Sequence, residues 1–154
     1  MSGFILEIKG IDKTVMKFLS FFDSILKFGE FATETPVKNI YKGDVIYVNT
    51  QAGIAINNGN QNLVAPDAWD NVSIDRIPSV NTINKVIRIS DEFYLATNNG
   101  IIKGNLGDWE SLLYGGVEIL DLKIEGNNYY SLSSDSFRLF DQEDQVLVNY
   151  SGIS

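Results

Sequence analysis

The sequence predicts an all-β chain built from short four-stranded repeats. Three observations predict it. The stretch Tyr94 to Gly104, "YLATNNGIIKG", reads as two apolar strands joined by a tight Asn-Gly turn, the strongest short hairpin signal because both residues tolerate positive φ. Weaker copies of that stretch recur on either side of it. Residues 12–28 alone carry a helical period.

The copies align on Gly53, Gly100 and Ser136. Six residues before each reference stands a tyrosine: Tyr47, Tyr94 and Tyr130. Three before it stands a hydroxyl residue: Thr50, Thr97 and Ser133. One after it stands Ile54, Ile101 or Phe137. The steps are 100 − 53 = 47 and 136 − 100 = 36 residues. The weaker turn formers Ala52-Gly53 and Asp135-Ser136 fall where the clearest copy has Asn99-Gly100.

Each repeat then divides into strands in order. In the clearest copy these are "VIRIS", "FYLAT", "GIIKG" and "DWESLL". The equivalents of the first strand are marked by Ile40 before "KGD" and by Leu122 and Ile124 before "EGNN". Four-stranded units of about 40 residues are the pattern of β-propeller blades. Near-continuous apolar strands suit a blade buried on both faces. The expectation is a β-propeller or partial propeller of about four blades in a single domain, residues 1–154, with units at roughly 4–36, 37–84, 85–118 and 119–154.

The first unit admits two readings. "KFLSFFDSILKF" fits the repeat frame, with Phe18 at the tyrosine position and Asp23-Ser24 at the turn. Residues 12–28 also segregate into a polar stripe (Lys13, Lys17, Ser20, Ser24, Lys27) and an apolar one (Val15, Phe18, Leu19, Phe22, Ile25, Leu26). The alternative is thus a helix over 12–28 followed by three β-repeats. Consistency with the rest of the chain favours the β reading.

"FYLATNNGIIKGNLGDWESL" resembles blades of the broad propeller class that includes BNR-type and two-component-regulator-type repeats. The resemblance covers roughly residues 37–150 and implies architecture, not activity. The Asp-box pattern Ser-x-Asp-x-Gly-x-x-x-x-Trp is absent, a departure that speaks against close kinship with sialidases.

Composition narrows function by exclusion. The chain has no cysteine and no histidine. That removes disulfides, thiolate zinc sites, thiol nucleophiles and the Ser-His-Asp triad. The net charge of −8 and three scattered arginines (Arg76, Arg88, Arg138) disfavour nucleic acid and anionic membranes as partners. No apolar run approaches the roughly 20 residues of a membrane helix, and "MSGFILEIKG" does not read as a secretory signal. Localisation is left open between cytoplasm and virion.

The candidate binding residues are Trp69, Trp109, Asn60, Asn62 and Arg76. The tryptophans share one repeat position, in "DAWDNVSI" and "GDWESLL". They suit either a stacking platform for a sugar or partner or a wedge between blades. Asn60 and Asn62 lie in the long segment Asn57 to Ala68, and Arg76 in Ile74 to Asn84. Long loops on a rigid scaffold are where binding sites gather, or else are tolerated insertions. Asp141 to Gln145, "DQEDQ", reads as a solvated hairpin turn rather than a calcium loop. Asp108 and Glu110 share a strand face without evident partners. No catalytic residue, metal or cofactor is expected.

The expected function is a non-catalytic protein-interaction or assembly module, with a protein partner or self-association. The abundance of Asn, Ser and Gly with only 3 Pro resembles viral (phage) structural or host-interaction proteins. The alternatives are a lectin-like carbohydrate binder with a glycan ligand, and, less in keeping with the sequence, a carboxylate-based glycosidase.

Overall fold

A computed structural model describes residues 27–33, 35–105 and 107–152. Among these residues the chain is all-β and forms three four-stranded antiparallel sheets that do not close into a ring. The first sheet holds β1 (Val37–Lys42), β2 (Ile46–Thr50), β3 (Gly53–Asn57) and β4 (Trp69–Ser73). The second holds β5 (Ile83–Ile89), β6 (Glu92–Thr97), β7 (Gly100–Gly104) and β8 (Trp109–Leu113). The third holds β9 (Ile119–Glu125), β10 (Asn128–Ser133), β11 (Ser136–Phe140) and β12 (Val146–Ser151). Strand order follows chain order in every sheet. Helix is limited to two 3₁₀ turns, Pro66–Ala68 and Ile74–Arg76. No helix among the described residues is long and apolar enough to cross a membrane.

Three sheets stand where about four repeats were expected. The repeat expected over 4–36 and the competing helix over 12–28 fall largely outside the described residues. The described part of that unit forms no strand.

The repeated hydroxyl has a local cause. Thr97 Oγ1 donates to Gly100 O (2.8 Å) and accepts from Asn99 N (3.0 Å). Thr50 repeats both bonds with Gly53 O (2.9 Å) and Ala52 N (3.1 Å). Ser133 Oγ accepts from Ser136 N at 3.1 Å in the third sheet. All three hydroxyl residues are buried. Each satisfies turn groups that the reversing backbone leaves unpaired.

The turn itself lies one residue earlier than the Asn-Gly reading placed it. Thr97 pairs with Gly100, so Asn98 and Asn99 form the loop and Gly100 opens β7. Neither asparagine has the positive φ that a type I′ turn demands; Gly100 has it, at 94°. Gly53 matches it at 138°, whereas Ser136 does not need it. A Cβ on Gly100 would also meet Leu113 O and Tyr114 O in the chain beyond.

Strand alternation gives each sheet two faces, a front toward the next sheet and a rear toward the preceding one. The front of the first sheet (Tyr47, Ile54, Ile56, Val72) packs on the rear of the second (Ile83, Val86, Phe93, Leu95, Ile102). The front of the second (Ile87, Tyr94, Ala96, Ile101) packs on the rear of the third (Ile119, Leu122, Tyr129, Phe140). One contact repeats at each step. Tyr47 meets Phe93 edge-on at 5.4 Å, and Tyr94 meets Tyr129 at 5.1 Å. Polar seams repeat as well. Lys38 Nζ donates to Ile83 O (3.0 Å), and Asn84 Nδ2, one strand position equivalent, donates to Ile119 O (2.9 Å).

The connection Ile74 to Asn84 does more than span a gap. Ile77 and Val80 are buried in the core between the first two sheets. The rear of the first sheet is covered by Phe28 and Phe31, which cluster with Val48, Ala55 and Trp69.

Gly100→Val forces a β-branched residue onto positive φ and against backbone oxygens. It should cost about 3 kcal/mol or more. Ser136→Val, at ordinary φ, should cost about 1 kcal/mol through its lost hydroxyl contacts. Urea denaturation of both variants measures the difference; equal costs would refute the turn assignment.

Candidate functional site

The five sequence-derived candidates do not converge. Trp69 is 4% exposed, its indole Nε1 donates to Leu63 O (2.9 Å), and Phe28 meets its ring edge-on at 5.2 Å. Its ring faces are thereby committed to packing. Trp109 occupies the same rear-face position one sheet on and packs, half-buried, against the core between the first two sheets. The shared repeat position is thus a shared packing position. Asn60 and Asn62 are exposed, and their loop is folded by its own asparagines. Asn60 Oδ1 accepts from Asn62 N (2.9 Å), and Asn57 Nδ2 donates to Asn60 O (3.0 Å). Arg76 is exposed on the second 3₁₀ turn and shares a shallow depression with Trp69, Glu30 and Asn71. Asp108 and Glu110 are both exposed.

A groove of about 580 Å³ opens between the turn ends of the first two sheets. Val45, Ile56 and Phe93 give it apolar walls, and Asp44, Asp70 and Asp91 give it acidic ones. Arg88 lies between them. Its Nη2 donates to Asp91 Oδ1 (2.9 Å), its guanidinium lies 5.8 Å from the Phe93 ring centre, and its Nε is buried without a hydrogen-bond partner. Among the described residues no group of carboxylates is arranged to hold a metal ion.

Asp144 corrects the reading of "DQEDQ" as merely a solvated turn. The segment does join β11 to β12, but Asp144, at φ 63° and with only 13% of its side chain exposed, turns inward. Its Oδ1 accepts from Tyr129 Oη (2.7 Å), and its Oδ2 lies 3.3 Å from Lys103 Nζ. Lys103 also pairs with Glu92 at 2.9 Å and sits 5.2 Å from the Tyr94 ring centre. This chain of contacts ties the third sheet to the second. The Glu92 contact, foremost, holds the Lys103 ammonium above its usual range. Burial, then the Asp144 bond, pushes the Tyr129 phenol well above its usual range. Burial raises Tyr94 too and pushes Tyr47 up to about 12.

The least satisfied surface is the front of the third sheet. Register places Tyr130, Leu132, Phe137, Leu139 and Tyr150 on it. Leu132 is 38% and Tyr150 62% exposed. At the position of Leu132, the first two sheets have Asn49 and Ala96, both fully buried. Tyr130, Phe137 and Tyr150 form a run of neighbouring rings, at 5.3 and 6.4 Å. The repeat frame already aligned Tyr130 with Tyr47 and Tyr94; the missing signal was that no described sheet covers it.

No family model matches the chain, and no curated protein matches it. Solved structures do. PorZ, an essential bacterial surface component of the type-IX secretion system of Porphyromonas gingivalis, is 13% identical with a TM-score of 0.58; the match covers 79% of this chain and 16% of PorZ. The extracellular domain of BT4673 from B. thetaiotaomicron, described as a one component system, is 15% identical with a TM-score of 0.57, covering 82% of this chain and 18% of that one. Kluyveromyces lactis Hsv2 is 11% identical with a TM-score of 0.55, covering 79% and 39%. The chain therefore spans less than a fifth of the first two. The similarity is one of fold: a broad, β-rich, propeller-like architecture.

The raised phenols and ammonium set an alkaline limit. Tyr47, Tyr94, Tyr129 and Lys103 all hold their protons more tightly when folded. Their contribution is complete below the unfolded values of about 10 and is lost as pH rises above them. Melting temperature should fall steadily from about pH 10 upward. Tyr129→Phe should melt lower than the parent at neutral pH, and the gap should narrow as pH rises. Thermal melts with tyrosinate absorbance across that range test this; a constant gap would contradict it.

Proposed function

We propose that this protein is a non-catalytic, propeller-like module that works by association with another protein through an uncovered sheet face. One observation carries the reading. The front of the third sheet presents Tyr130, Leu132, Phe137 and Leu139 at the four positions whose counterparts, Tyr47, Asn49, Ile54, Ile56 in the first sheet, are buried against a neighbour. Leu132 and Tyr150 are exposed and Tyr130, Phe137 and Leu139 half-buried, and a contiguous apolar surface left partly open marks an interaction site. The full ring remains part of the proposal: such a face is what an open arc of blades leaves at its end. A structural role in a virion fits the same reading, because subunits there act by association.

The groove around Arg88 supports a second reading, a glycan-binding module. Its apolar walls and acidic rim suit a neutral, hydroxyl-rich ligand.

The two readings separate on one pair of variants. Tyr150→Glu places charge on the sheet face, and Arg88→Ala alters the groove. Affinity capture from a native source should retain a protein partner with Arg88→Ala and lose it with Tyr150→Glu. A glycan array signal that Arg88→Ala abolishes, with no partner captured, would favour the glycan reading instead.

A further inference from the structure

Resting on the association reading, we infer that the partner on the front of the third sheet is a second copy of this chain, packed face to face about a two-fold axis. The molecule itself shows what such a face accepts. Both covered fronts are covered by another sheet of the same chain, with a tyrosine meeting an aromatic ring across each step. A sheet in head-to-tail order would need a free rear face. Among the described residues none remains. The rears of the second and third sheets lie on their neighbours, and the rear of the first is occupied by Phe28 and Phe31. The surface of matching shape and chemistry still open is the same front on another copy.

A two-fold pairing is self-consistent, since an isologous interface sets each residue set against itself. Tyr130, Leu132, Phe137 and Tyr150 would interdigitate with their counterparts as in aligned sheet packing. Leu132 and Phe137, paired in register on the two central strands, would lie nearest the axis. Lys123, 5.9 Å from the Tyr130 ring centre, keeps its charge at the rim. The area sets the strength. Four strands about 4.8 Å apart and about six residues of 3.3 Å make a face of about 400 Å². A pair of such faces, about 800 Å² in total, is smaller than a standard specific interface, which points to a weak, reversible dimer.

The test is sedimentation velocity on the full chain. The expected result is a concentration-dependent shift from 17.2 kDa to twice that mass. Leu132→Glu should weaken the dimer at least about tenfold, and Tyr150→Glu, at a more exposed position, should do likewise with an unchanged melting temperature. Because the chain has no cysteine, Leu132→Cys supplies a single thiol, and mild oxidation should join two copies through it. A dimer indifferent to both charge variants would overturn the inference. So would a chain that stays monomeric up to about 1 mM, where even a weak dimer would be populated. In that monomer, rapid maleimide labelling of Leu132→Cys would leave the face open for a different protein and the proposed function standing. Slow labelling would show that another part of this chain covers the face, and both would fall.

Discussion

Each sheet of this protein is apolar on both faces, and the rest of the architecture follows from the need to cover them. Tyr47 against Phe93 and Tyr94 against Tyr129 are the recurrent contacts of that arrangement. An aromatic pair contributes specific geometry beyond the area it buries. Here it fixes how one sheet is set on the next. Adjacent residues of one strand point to opposite faces. That is why Phe93-Tyr94 and Tyr129-Tyr130 are aromatic doublets: the first ring receives the preceding sheet, and the second is offered to the following one.

Order along the chain turns that local rule into an arc. Hairpins closed by Thr50, Thr97 and Ser133 join the two central strands of each sheet, and strand order follows chain order throughout. Asn98 and Asn99 then bind the segments on either side of the second sheet. Asn98 Oδ1 accepts from Asn81 and Thr82 N, both at 2.9 Å, and Asn99 Oδ1 accepts from Gly116 N at 2.6 Å. Two loop side chains thereby set where the second sheet is entered and left. Against the charged chain of Glu92, Lys103, Asp144 and Tyr129, this neutral network is the one carried by the turn that the repeat depends on.

An arc has ends, and the two ends here differ. The rear of the first sheet is closed by Phe28 and Phe31 beside Trp69. Among the described residues nothing covers the front of the third, which carries larger apolar groups than its buried equivalents. A surface evolved only to face water has little use for Leu132 and Phe137 where Asn49 and Ile101 serve inside. The difference in chemistry between the two ends, more than the groove at Arg88, gives the molecule a direction for association.

The sequence by itself determined the strands and the neighbourhood of each turn, because those depend on neighbours within a few residues. The period of apolar positions, the hydroxyl three before each turn and the glycine at Gly100 are local, and each was legible as a recurring letter. Even so, the turn fell at Asn98-Asn99, since pairing register is set across strands and not along one. The tertiary structure alone decided burial. Trp69 and Tyr150 are both large aromatic residues, yet one is enclosed by Phe28 and the loop above it while the other faces solvent. Asp144 looked like one more carboxylate in "DQEDQ" until the fold brought Tyr129 and Lys103, 15 and 41 residues away, to its two oxygens. Which faces are covered depends on contacts between residues far apart in the chain, and a one-dimensional pattern carries the capacity for such contacts without saying which are made.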